Sequence, residues 1–143
     1  MTRSLILATS ITLVLSSGFN HALGQNLSLS HKILNGKRAH ANIKKLLDFG
    51  PRPSGSPNLK NARAWIKTEL QKAGCKIEED HFTAFTPIGK IPMVNLIGKI
   101  PGRETKVIIL AAHYETKRFT SFPFVGANDS ASGVGLVLEL ARN

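Results

Sequence analysis

The segment "VIILAAH", residues 107–113, restricts the fold more than any other stretch of the chain. Six apolar residues follow one another from Val107 to Ala112. The run is too short for an ordinary helix, and an extended segment that is apolar on both faces needs cover on both faces. That reads as a central strand of a sheet flanked by helices. The loop after His113 ends in a Gly-Ala-Asn-Asp-Ser-Ala-Ser-Gly run, residues 126–133, followed by the apolar segment "VGLVLELA". The latter predicts a helix from about Ser130, apolar through Val134, Leu136, Val137, Leu138 and Leu140. Gly133 and Gly135 in it would let the backbone approach the sheet closely.

Upstream, the elements are marked by their ends. Ile43, Leu46 and Leu47 form a short helical stripe that Gly50 and Pro51 terminate. "GPRPSGS" must be a loop, since two prolines and two glycines in seven residues hold neither ladder. Ser56 is a good N-cap, Pro57 suits the first helical position, and Gly74 suits a left-handed stop. Between them Leu59, Ala62, Ile66, Leu70 and Ala73 share one face at helical spacing, with Trp65 on its flank. "KIEEDHFTAF" is a poorer strand with three acids, suited to an edge. "IPMVNLIGKI" is a better one. Strands with covering helices predict an α/β three-layer sandwich with a mixed, mostly parallel central sheet. The elements present would leave that sheet truncated, with an uncovered edge.

The amino-terminal residues have a different character. Arg3 precedes an apolar stretch from about Leu5 to Phe19, and Ala22-Leu23-Gly24 supplies a small-x-small cleavage signal. That order is the signature of a signal peptide over residues 1–24, placing the mature chain in a secreted or periplasmic setting without stable membrane association. An uncleaved anchor is the alternative reading. Residues 25–49 then form a helical segment, and 50–143 the main domain. One cysteine, Cys75, cannot form an internal disulfide and reads as a small buried residue at a helix-to-strand turn. The net charge of +10 is spread from Lys32 to Arg142 with no aromatic-interleaved basic block, which argues against a nucleic-acid groove.

Ligands of open α/β sheets gather where strand carboxyl ends meet helix starts. His113 ends the central strand, and Asp129 stands at the start of the next helix. An imidazole and a carboxylate converging there suit a borderline cation such as zinc. Glu115, two residues on, points the same way along an extended backbone and can accept from the other imidazole nitrogen, fixing its tautomer. Gly126 and Ala127 would permit the turn that swings Asp129 inward. Plainer roles stand beside these: Asp129 as an N-cap, His113 as a hydrogen-bonded strand end, Glu115 and Lys117 as solvated loop charges.

"TPIGKIPMVNLIG", "AAHYETKRF", "FVGANDSASG" and "LELAR", read in order, resemble the glutaminyl-peptide cyclotransferases and the related zinc aminopeptidases of metallopeptidase family 28. The similarity runs from about Gly50 to Arg142. It implies a zinc enzyme acting on peptide or protein amino termini, with one zinc if cyclase-like and two if aminopeptidase-like. Asp129 matches the family's zinc-binding aspartate. His113 matches a histidine that ligates metal in the two-zinc peptidases but not directly in the cyclases. Glu115 stands where the family usually has Asp. "TPIG", "FVGA" and "DSA" lean to the cyclases, which close an amino-terminal Gln on itself and release ammonia. "NDSASG" leans to the peptidases.

No catalytic residue of the family is identified within the chain. The resemblance implies that the catalytic Glu, a further acidic ligand and a later His lie beyond Asn143. Glu78, Asp80 and His81 fit no family position, and His31 and His40 read as solvated or capping. The expectation is therefore an exported cyclase-like zinc enzyme represented by an amino-terminal part, inactive by itself; the alternatives are an aminopeptidase and a non-catalytic remnant.

Overall fold

The computed structural model describes residues 10–15 and 34–143. Its elements run β1 (Ser10–Leu15), α1 (Gly36–Leu47), α2 (Pro57–Lys72), β2 (Lys76–Thr86), β3 (Gly89–Ile100) and β4 (Ile108–His113). A wide irregular turn (Ala127–Ser132) and α3 (Gly133–Ala141) follow.

The helix ends obey the local rules. Asn35 caps α1, its side chain accepting from the Arg38 amide, and Ser56 caps α2 in the same way through the Leu59 amide. Pro57 opens α2, and Gly74 stops it with a φ of 84°. Leu59, Ala62, Ile66 and Leu70 of α2 are all buried, as their spacing predicts. Cys75 is buried directly after the stop, and Gly98 of β3 packs against it; a Cβ at Gly98 would lie 3.3 Å from that of Cys75.

The sheet has the order β2-β3-β1-β4. β2 is antiparallel to β3, β1 parallel to β3, and β4 antiparallel to β1. The expected α/β class and mixed sheet are present, with two of the three described pairings antiparallel. β2 lies at the edge, as its broken alternation suggests. In β3 and β4, Leu96, Gly98, Ile100, Leu110 and Ala112 share one face by register, and the hydrophobic ones join a core with α1, α2 and α3. Burying that core against three helices is the main stabilising term. Among the described residues the helices lie on this face alone.

Two expectations differ from what is seen. β4 pairs only with β1 among the described strands, and Ile109 is 62% exposed, so β4 is not covered on both faces. Among the described residues no helix crosses its uncovered face, since α3 meets the other face, where a Cβ at Gly133 would touch that of Ala112. Gly135 was expected against the sheet but faces α1, where a Cβ would meet the Ala39 carbonyl oxygen at 2.9 Å. The apolar residues 10–15, read as part of a leader, supply β1 between β3 and β4. A segment with Ile, Thr and Val pairs well in a ladder. The cleavage signal at residues 22–24, the rest of the leader and His31 lie outside the described residues.

Candidate metal site

The site rests on a buried arginine. Arg52, between the two prolines of the 51–56 loop, is fully buried. Its Nη1 donates to the carbonyl oxygens of Leu46 (2.8 Å) and Gly50 (2.9 Å), and its Nε to that of Tyr114 (3.3 Å). Its backbone pairs with Thr116 in both directions: the Arg52 amide donates to Thr116 Oγ1 at 2.8 Å, and the Thr116 amide to the Arg52 carbonyl at 3.0 Å. Burial pushes the Arg52 guanidinium pKa down. Tyr114, also fully buried, donates from its hydroxyl to the Val94 carbonyl at 2.7 Å, and burial raises its pKa. The residues on either side of Glu115 are thus fixed to the loop and to β3.

The turn before α3 is fixed from the other side. Gly126 has a φ of 61°, and a Cβ there would overlap the Asp129 carbonyl oxygen and sit 2.9 Å from the Thr116 side chain. The Ala131 amide closes the turn on the Gly126 carbonyl at 3.0 Å. Ser130 Oγ donates to the Glu115 carbonyl at 3.0 Å, tying the turn to the strand extension. Asp129 itself has non-helical backbone angles, φ −111° and ψ 88°, and α3 has no side-chain cap. Its role is not that of an N-cap.

This geometry brings the three sequence-derived residues together. His113 Nε2 lies 2.8 Å from Asp129 Oδ1, and His113 Nδ1 lies 3.5 Å from Glu115 Oε1. The Asp129 side chain is 65% exposed and that of Glu115 only 20%, so Glu115 is no solvated loop charge. Lys117 lies over the Phe119 ring, 5.2 Å from its centroid, in an aromatic cluster with Phe122 and Phe124. A cavity of about 580 Å³ opens onto His113, Glu115 and Asp129. The β2–β3 turn also lines it. His81 lies apart at the edge strand near Glu79, and Glu78 is likewise outside the cavity.

Does the cluster fit a zinc ion? Its donor types do, since imidazole and carboxylate both ligate zinc. Its number does not: among the described residues no group of three His, Cys, Asp or Glu side chains is placed to hold a metal. The 2.8 Å contact is also a hydrogen-bond distance, whereas two donors on one tetrahedral zinc stand about 3.4 Å apart. What is present is a hydrogen-bonded pair with an acceptor behind it. Arg52, Tyr114 and Ser130, which hold that pair in place, were not singled out from the sequence. An arginine in a Pro/Gly loop carries no pattern that signals burial.

Residues 95–143, which include all three cluster residues, match peptidase family M28. Over 95 residues the chain is 40% identical to a glutaminyl-peptide cyclotransferase-like protein of Bos taurus, covering 64% of this chain and 25% of that one. Within those limits, the chain is similar to glutaminyl cyclases and to family M28. A solved glutaminyl cyclase from an Acidobacteriales bacterium superposes with a TM-score of 0.64 at 33% identity, over 75% of this chain and 38% of that one. The cyclase of Fimbriiglobus ruber gives 0.64 at 28%, over 76% and 40%. The chain therefore spans about a quarter of the curated relative and about two fifths of the solved enzymes.

Proposed function

We propose that the chain contributes Asp129, as a ligand, and His113, as the residue beside it, to the zinc site of an exported glutaminyl cyclase-like enzyme. Such an enzyme turns the amino-terminal Gln of a peptide into a cyclic lactam, with loss of ammonia. The convergence of His113, Glu115 and Asp129 at one strand end carries the reading, in a chain 40% identical to a cyclase-like protein over 95 residues. When bound, zinc would polarise the carbonyl under attack. The chain's own residues would do the rest of what is visible. Asp129 would hold the metal, His113 would position the Asp129 carboxylate, Glu115 keeps the imidazole in one tautomer, and the cavity admits the peptide end.

Among the described residues, His113 and Asp129 together fall short of the three donors that a catalytic zinc takes. The 143-residue chain is therefore expected to bind zinc weakly and to cyclise nothing by itself. Zinc titration against a chelating indicator, with ammonia and free Gln measured on Gln-initiated peptides, tests this. Zinc binding lost in both His113→Ala and Asp129→Asn supports the reading, and zinc binding indifferent to both overturns it. The family M28 match favours a second reading, hydrolytic removal of the amino-terminal residue. Free Gln released without ammonia would select it.

A further inference from the structure

We propose that the β2–β3 turn is a specificity wall that selects an apolar second residue in the peptide, with Ile88 and Ile91 as its contact residues. The inference rests on the peptide-terminus reading above. The cavity that opens on His113, Glu115 and Asp129 is also lined by Pro87, Ile88, Ile91 and Met93. A peptide held by its first residue at the His113–Asp129 end must lay its next side chain along the remaining walls. The 51–56 loop contributes Pro53 and Ser54, and one side is basic, with Lys117 and Arg118. The largest apolar surface is the turn.

The turn is built to hold that surface still. Thr86 Oγ1 accepts from the Ile88 amide at 3.3 Å and donates to the Gly89 carbonyl at 2.8 Å. Pro87 restricts the backbone between them, and Gly89 takes a φ of 110° that a side chain would strain. Ile91 is wedged against the 51–56 loop: a Cβ at Gly55 would lie 3.2 Å from its Cγ2. Yet Ile88 is 64% exposed. An isoleucine mounted rigidly on a cavity wall loses little freedom when a ligand covers it, so apolar burial there is retained as affinity.

The two basic side chains add a second filter. Arg118 is anchored by donating to the Ser54 carbonyl at 3.2 Å, so its charge stays on the rim beside Lys117. A basic second residue would meet like charge there, and an apolar one would not.

The test uses the full chain with excess zinc and the amides Gln-Leu-Gly, Gln-Lys-Gly and Gln-Gly-Gly, followed by amide and methyl NMR shifts. The expected result is binding of Gln-Leu-Gly about tenfold tighter than Gln-Gly-Gly. Shifts should appear at Ile88 and Ile91, and Gln-Lys-Gly should be weakest. Ile88→Ser should bring the Leu peptide down to the Gly peptide while leaving the latter unchanged. Equal affinities, with shifts at His113 but none at Ile88, overturn the wall and leave the peptide-terminus reading standing. No binding by any of the three overturns both. Ile91→Ser repeats the test should Ile88→Ser disturb the turn, which the Thr86 hydroxyl contacts report.

Discussion

The Arg52 guanidinium reaches the carbonyl oxygen of Tyr114, its Nε 3.3 Å away and 62 residues apart in sequence. Through that bond and the two bonds to Leu46 and Gly50, a single buried side chain joins the end of α1, the 51–56 loop and the strand extension that carries Glu115. The position of the candidate site is therefore set by a residue that lies outside it.

Arg52→Met keeps much of the volume and removes every donor. The Leu46 carbonyl keeps the Phe49 amide at 3.3 Å, but those of Gly50 and Tyr114 lose this donor, each costing on the order of 1–3 kcal/mol when unsatisfied. The expected loss is about 2 kcal/mol or more, read as a lower urea midpoint at unchanged slope. A loss below about 1 kcal/mol would show that water replaces the guanidinium without difficulty, and the clamp would then be incidental.

Gly126→Ala tests the turn that delivers Asp129. The added methyl meets the Asp129 carbonyl in a backbone conformation of φ 61°, so the turn must open. We expect a loss of about 1–3 kcal/mol together with displacement of Asp129. Gly36→Ala is the control, because nothing lies within 4 Å of a Cβ there and the backbone is helical. That variant should be neutral or more stable by about 0.5–1 kcal/mol. Equal effects at the two glycines would contradict the steric account.

Much of the site was legible because its signals are local. Ser56, Pro57 and Gly74 mark the ends of α2 through their own backbone preferences, and Gly126 marks the turn for the same reason. His113, Glu115 and Asp129 were found from residue type and their place between a strand and a helix. Arg52 was not, because its burial depends on carbonyls contributed by three separate segments. The exposure of β4 was also hidden. Apolar runs state that a segment prefers cover, but which neighbours arrive is decided by pairing across the sheet. Gly133 and Gly135, two residues apart, illustrate the limit: both were expected on the sheet, and helical geometry turned one of them onto α1.

Glu139 gives a pH signature. Its carboxylate is fully buried and takes both donors of Arg38, at 2.6 Å each, and the Asn35 amide at 2.9 Å. The Arg38 hydrogen bonds hold its pKa below the ordinary 4.5. A carboxyl group whose folded pKa is depressed contributes stability that is complete above the unfolded value and is lost as pH falls through the folded one. The chain should therefore lose stability on acidification from about pH 4.5 downward. Glu139→Gln should be less stable at pH 7 but flatter below pH 4.5. Urea midpoints measured between pH 3 and pH 7 decide it: parallel curves for the two proteins would exclude Glu139 as a source of the acid sensitivity.

Glu115 separates a metal-orienting role from a packing role. Its carboxylate lies 3.5 Å from His113 Nδ1, long for a hydrogen bond, while its backbone carbonyl is held by Ser130. Glu115→Gln leaves the backbone bond and the side-chain length unchanged and removes only the charge that favours a proton on Nδ1, the tautomer that leaves the Nε2 lone pair free for a metal. If the carboxylate orients the imidazole, zinc affinity should fall about 10-fold, within the range for partners of ligating histidines, and the urea midpoint should stay nearly constant. Glu115→Asp draws the charge back by one methylene, away from a ring it already reaches at 3.5 Å, so its zinc affinity should lie between wild type and Glu115→Gln. An affinity for Glu115→Asp above wild type would mean that the longer side chain holds His113 out of position, and the orienting contact would then belong to the shorter residue.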